Sequence, residues 1–211
     1  MKKSFAILSI LSFLLFLAVW ASVKSEWILP WDQTLLDQFG KLDWLGMFSI
    51  FGSKTVIGLC SIGLILFLWF RKKDFYGIVL VLAAVGGGYG LNTIIKNAIG
   101  RERPLFPHGE EGFSFPSGHA MVGSIYLLLI AYFAGMEVKK RSAKWMIYIV
   151  CSFLALLTGI SRLSIQAHYP SDVLAGFFLA LPYLYICLTG YEFFTKKRSI
   201  QSKTNKASFT F

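Results

Sequence analysis

Ser161–Phe194 reads SRLSIQAHYPSDVLAGFFLALPYLYICLTGYEFF. Its first part holds three chemically capable groups, Arg162, His168 and Asp172, and from Val173 to Phe194 it is almost entirely apolar. A helix rises ~1.5 Å per residue, and ~20 apolar residues cross a hydrocarbon core of ~30 Å. The second part therefore predicts a membrane span, and the polar groups stand at its mouth.

Five further blocks of the same kind precede it, at Phe5–Val23, Thr55–Phe70, Phe75–Ala98, His119–Met136 and Trp145–Ile160. Of the 211 residues, 55% are hydrophobic and 15% charged, where a soluble domain carries about a quarter charged residues. The first block follows Lys2 and Lys3 and ends near a passable cleavage site at Ala21, but its apolar run is long for a signal peptide and reads as an uncleaved anchor. Cys60, Cys151 and Cys187 lie inside apolar blocks without CxxC spacing and read as small hydrophobes. In PWDQTLLDQFGKLDWLGMF, Pro30–Phe48, the residues Trp31, Leu35, Phe39 and Leu42 share one helical face, and Asp32, Gln33, Asp37 and Lys41 lie elsewhere. That pattern predicts a helix lying on the membrane surface. Gly86, Gly87, Gly88 and Gly90 in the third block suit close helix packing in a bilayer. The fold expected is all-α: one polytopic domain over residues 1–211, a six-transmembrane-helix bundle with a surface amphipathic helix and a polar, basic tail at 196–211 that frays from about Thr195.

Orientation follows from the basic residues. Alternating crossings gather Lys2, Lys3, Arg71, Lys72, Lys73, Lys139, Lys140, Arg141, Lys144, Lys196, Lys197, Arg198, Lys203 and Lys206 on one face, fourteen of 21. That face is expected to be cytoplasmic, with both termini, in a cell membrane. The net charge of +10 is then mainly a topology signal, and no nucleic-acid partner is expected.

The loop Lys96–Ala120, KNAIGRERPLFPHGEEGFSFPSGHA, and the opening stretch both fall on the opposite, extracytoplasmic face. Each group there has an unremarkable reading alone. Lys96 and Arg162 suit snorkelling cations at helix ends, Ser117 a helix cap, and Pro170 and Asp172 a first helical turn. Together, Lys96, Arg103 and Arg162 with His119, His168 and Asp172 put three cations, two histidines and a carboxylate at one edge of an interior that otherwise carries almost no charge. Phosphoryl transfer needs such a set. Arginines and a lysine hold the peripheral oxygens. The helix start at Ser117 and Gly118 offers backbone N–H groups to an anion. His168 oriented by Asp172 can attack phosphorus, and His119 can protonate the leaving oxygen. No ligand cluster for a metal is present in the pattern, and no cofactor is expected. Two other readings remain open. A serine hydrolase using Ser117, His168 and Asp172 leaves the cations unexplained, and a transporter would place its ionisable groups nearer mid-bilayer, where only Asn92 lies.

Lys96-x6-Arg103-Pro104, Pro116-Ser117-Gly118-His119 and Ser161-Arg162-x5-His168-x3-Asp172 match, in order, the three signature motifs of the type 2 phosphatidic acid phosphatases. The chain resembles that family, which is itself similar to vanadate-dependent haloperoxidases. The resemblance implies a metal-independent phosphatase acting on a membrane lipid phosphate through a phosphohistidine. It implies that Lys96, Arg103, Arg162, Ser117 and Gly118 hold phosphate, that His168 is the nucleophile with Asp172 its partner, and that His119 is the acid. By analogy the substrate expected first is phosphatidylglycerol phosphate, then undecaprenyl diphosphate, then phosphatidic acid.

Overall fold

A computed structural model of the chain describes residues 3–105 and 109–208, with the side chains of 199–208 outside that description. Lys2 and the side chains of Lys203 and Lys206, counted above for orientation, therefore lie outside the described part. Among the described residues all regular structure is helical. In order these are α1 (Lys3–Lys24), α2 (Leu29–Phe39), a 3-10 stretch (Asp43–Gly52), α3 (Lys54–Phe67), α4 (Phe75–Val81), α5 (Gly87–Ile99), α6 (Gly118–Glu137), α7 (Arg141–Ser164) and α8 (Pro170–Ser208). A π turn at Leu68–Lys72 prolongs α3, and another at Leu82–Gly86 joins α4 to α5. Among the described residues six helices are long and apolar enough to cross a membrane: Lys3–Lys24, Lys54–Lys72, Phe75–Ile99, Gly118–Glu137, Arg141–Ser164 and Pro170–Arg198. Each contains one of the six predicted blocks.

Local chemistry sets the boundaries. Ser53, Asp74 and Ser117 cap α3, α4 and α6 by accepting from Val56 N (3.3 Å), Gly77 N (2.9 Å) and Ala120 N (3.4 Å). Gly100 ends α5 in the left-handed region, φ +68°, with its N–H on Lys96 O at 2.9 Å. The chain leaves the membrane there and enters the loop that carries Arg101 and Arg103.

Helix α6 is the most enclosed span and lies at the centre, packed by α3, α5, α7 and α8, while α1 leans on α8 through Ser12 Oγ donating to Phe178 O at 2.8 Å. Lipid tails are as apolar as leucine, so packing and small residues hold such a bundle together. Gly123 brings α6 against Thr158 of α7, and Gly176 brings α8 against the start of α6. The glycines of the third span divide: Gly87 and Gly88 pack on Tyr183 and Ile125, whereas Gly86 and Gly90 face open space.

Two expectations change. The predicted surface helix is broken near Gly40 into α2 and the 3-10 stretch, and α2 turns the other way from the simple amphipathic reading. Trp31 and Leu35 point outward, and Asp32 is buried beside Leu36. The apolar stripe of α2 is left for lipid, and its acid is drawn inward by partners described below. The tail also stays helical, to Ser208. Nothing between Thr195 and Ser208 is proline or glycine, so no breaker stops the helix where the apolar run ends.

A Cβ at Gly176 would stand 2.7 Å from Ser117 O and 2.8 Å from Ala120 Cβ, with nothing within 4 Å of one at Gly190 on the same helix. Gly176→Ala is expected to lower stability by about 1–3 kcal/mol through overpacking, and Gly190→Ala to leave it level or higher. Thermal unfolding of the detergent-solubilised variants checks this; equal midpoints would contradict the packing.

Candidate active site

The three loops at one end of the bundle meet around Asp172, in the first turn of α8. Its backbone carbonyl accepts from Ser117 N at 2.9 Å, which ties the start of α6 to the start of α8. Its Oδ1 accepts from Arg101 Nη1 at 2.6 Å and its Oδ2 from Tyr169 N at 2.9 Å. His168 Nδ1 lies 3.5 Å from Oδ2, longer than a formed hydrogen bond, and has no other partner among the described residues.

The other face of that imidazole settles its tautomer. Arg103 Nη1 stands 3.1 Å from His168 Nε2, and a guanidinium has protons to give and no lone pair to accept with. Nε2 must therefore be the acceptor, and the proton of neutral His168 sits on Nδ1, toward Asp172. Burial pushes the His168 pKa down, from 6.5 to about 4, with Lys96 and Arg103 adding to the effect and Asp172 opposing it. Arg103 is itself fixed by backbone carbonyls, donating from Nε to Gly112 O at 2.9 Å and from Nη1 to Ala167 O at 2.8 Å. Burial lowers its pKa, against the opposing pull of Glu110 and Asp172.

Arg162, at the end of α7, is 2% exposed. It donates from Nη1 to Ser49 Oγ of the 3-10 stretch at 2.5 Å and from Nη2 to Glu110 Oε1 at 2.6 Å; its Nε has no partner among the described residues. Glu110 Oε2 also lies 3.8 Å from Arg103 Nη2, so one carboxylate spans both guanidiniums. Burial alone would raise the Glu110 pKa; the charge and hydrogen bond of Arg162 outweigh it and lower it. Lys96 Nζ donates to Phe113 O (2.5 Å) and Ser114 O (3.2 Å).

The start of α6 is held from both sides. Asn92 Nδ2 donates to Pro116 O at 3.1 Å, and a Cβ at Gly118 would come within 3.2 Å of Asn92 Oδ1. His119 lies against Gly52, where a Cβ would stand 2.3 Å from its ring. Ser117 is fully buried, and its Oγ accepts from Ala120 N as the cap of α6. Among the described residues no histidine shares a hydrogen bond with that Oγ.

All eight residues singled out from sequence therefore lie at this end of the bundle, with Arg103, His168 and Asp172 in direct succession. Four participants were not anticipated in these roles. From sequence alone neither Glu110 nor Ser49 is singled out, Arg101 figures only as part of the loop that carries Lys96 and Arg103, and Asp32 is set off the apolar face of the predicted surface helix. Each has a partner 52 to 139 residues away in the chain, beyond the reach of any local pattern.

A model of the PAP2 superfamily matches residues 76–196, more than half of the chain and all three polar motifs. The chain belongs to the PAP2 superfamily. It is 37% identical over 128 residues to phosphatidylglycerophosphatase B of Bacillus subtilis, covering 59% of this chain and 62% of that protein, under two thirds of its length. It is 33% identical over 186 residues to lipid A 1-phosphatase of Rhizobium johnstonii, covering 79% and 70% respectively. The crystal structure of a transmembrane PAP2-type phosphatidylglycerolphosphate phosphatase from Bacillus subtilis superposes with a TM-score of 0.73 at 28% identity, covering 87% of this chain and 96% of that one.

Imidazole nitrogen NMR of the solubilised protein is expected to find His168 as the neutral Nδ1–H tautomer at pH 6, with a midpoint near pH 4. Because the folded form resists a proton that the unfolded chain takes up at about 6.5, this histidine should also cost stability as pH falls from about 6.5 toward about 4. An Nε2–H tautomer, or a midpoint near 6.5, would contradict the contact with Arg103.

Proposed function

We propose that the chain is a lipid phosphate phosphatase of the cell membrane that works without a metal through a phosphohistidine, with phosphatidylglycerol phosphate its first substrate. The observation that carries this reading is the hydrogen bond from Arg103 to His168 Nε2. It leaves the ring's lone pair on the side of the cations, with its proton turned toward Asp172. The names of the Bacillus relative and of the superposable structure favour that substrate. An open cavity of about 600 Å³ lined by Trp20, Val23, Ile28, Ile99, Arg101 and Tyr169 flanks the site on the α1 side and offers room for lipid.

In this mechanism Lys96, Arg103 and Arg162, with the first turn of α6, hold the phosphate oxygens, and Arg103 turns from His168 to the phosphate as it binds. His168 Nε2 attacks phosphorus and the bond to the lipid oxygen breaks. His119 gives that oxygen its proton, and the lipid alcohol leaves. A water then attacks the phosphoryl-histidine, yielding its proton to His119. The phosphorus–nitrogen bond breaks, freeing inorganic phosphate and restoring His168. The three cations supply in place the charge that a metal would bring.

The orientation proposed puts the termini in the cytoplasm and the site outside, on the basic-residue asymmetry. A membrane-impermeant phosphate ester added to sealed right-side-out vesicles should then be hydrolysed. Activity that emerges only after the vesicles are opened would invert the topology.

The two histidines are expected to separate by substrate. His168→Ala should abolish turnover of phosphatidylglycerol phosphate and of nitrophenyl phosphate alike, together with acid-labile phosphate on the protein. His119→Ala should lose about 10²–10⁴-fold on the lipid, whose alkoxide needs the proton, and far less on nitrophenyl phosphate, whose phenolate leaves without it. Equal losses on both substrates for both variants, or label that persists without His168, would defeat the assignment.

A further inference from the structure

Asp32 lies outside the three motifs and Arg101 at a variable position of the first, yet they make the shortest polar contacts to the turn of α8 that carries Ser171 and Asp172. Arg101 Nη1 donates to Asp172 Oδ1 at 2.6 Å and to Ser171 Oγ at 2.7 Å, while its Nη2 donates to Asp32 Oδ2 at 2.7 Å. Asp32 in turn accepts from Ser171 N at 2.9 Å and Ser171 Oγ at 2.5 Å. The Tyr169 ring covers the guanidinium face at 4.3 Å. The side chains of Arg101, Asp32 and Asp172 are only 12%, 2% and 0% exposed. Burial works against the charge of Arg101, but Asp172 and Asp32 outweigh it and raise its pKa.

We infer that Arg101, clamped by Asp32 of the surface helix, is a positioning residue that fixes the carboxylate plane of Asp172 and through it the ring of His168. The inference rests on the proposed role of His168 as nucleophile. An arginine has many rotamers, and one held at a single edge can swing. Here two carboxylates grip its two terminal nitrogens and an aromatic ring closes its face, so the fork has one orientation. With Oδ1 committed to Arg101 and Oδ2 held by Tyr169 N, the carboxylate is fixed, and Oδ2 is left facing His168 Nδ1. Helix α2 thereby becomes part of the catalytic architecture. A displacement of about 1 Å at a reacting group can cost on the order of 10²-fold, which is what loosening this clamp is expected to approach.

The test uses full-length protein in detergent, assayed on nitrophenyl phosphate, with vanadate inhibition as the measure of the phosphate cradle. Arg101→Gln should lower kcat by about 10- to 100-fold while KM and the vanadate inhibition constant stay within about twofold, because Lys96, Arg103 and Arg162 are untouched. Arg101→Lys keeps the charge without the fork and should fall between. The double variant Asp32→Asn with Arg101→Gln should recover part of the kcat lost by Arg101→Gln alone. Without the guanidinium, two buried carboxylates are left facing each other across Ser171, and the second substitution removes one of them. A rise in KM with kcat held would overturn the inference in favour of a direct phosphate contact. A double variant worse than either single one would reduce the network to mere docking of α2. If Arg101→Gln does not fold, Arg101→Lys decides alone, and wild-type kcat in it overturns the inference. A wild-type chain that vanadate does not inhibit would count against the proposed function instead.

Discussion

Asp172 is a carboxylate with no exposed side-chain surface, and such a group must be compensated from every side or lose its charge. The compensation comes from two separate segments. Arg101 arrives from the end of α5, Tyr169 N from the turn before α8, and His168 from the same turn. The backbone of the same residue binds Ser117 N and so sets where α6 begins. Removing any one of these leaves a buried charge or an orphaned donor, so the arrangement constrains itself. Gly176 makes the meeting possible, because only a residue without a side chain lets α8 approach the backbone of Ser117.

The membrane explains why the site sits at the end of the bundle. Ionisable groups are costly in the hydrocarbon interior and cheap at its edge, and α5, α6, α7 and α8 each bring their candidate site residues to the same end of the bundle. Below that level the bundle needs only close packing, which Gly123, Gly87 and Gly88 supply to α6, α5 and their neighbours. The two π turns relax the winding of the second and third spans.

The spans were legible because hydrocarbon thickness imposes a length that an apolar run displays directly. The motif residues were legible because their chemistry is concentrated at helix ends, and a helix that crosses and returns brings ends 42 residues apart together, as with His119 and Ser161. Asp32 was not legible. Its position beside Trp31 and Gln33 suits a solvated face, and only Arg101 and Ser171, 69 and 139 residues away, reverse that reading. Glu110 was hidden for the opposite reason: in a loop rich in charge, nothing local distinguishes it from Glu111, and its value lies in its closeness to Arg162 and Arg103. Periodicity reports which side of a helix is apolar. It does not report which polar residue finds a buried partner.

That carboxylate bears on how the proposed chemistry would begin. Lys96, Arg101, Arg103 and Arg162 are faced by Asp32, Asp172 and Glu110, so the charge at this end is nearly balanced before any substrate arrives. Asp32 and Asp172 are committed to Arg101, which leaves Glu110 as the counter-charge on the two guanidiniums assigned to phosphate. A phosphate dianion cannot share Arg103 and Arg162 with a carboxylate without repulsion in a low-dielectric cleft. On the proposed reading, binding is therefore an exchange: phosphate oxygens replace the oxygens of Glu110, and Arg103 gives up His168 for the phosphate in the same step. The nucleophile's lone pair is released only when the anion that it attacks has taken its place on the arginine.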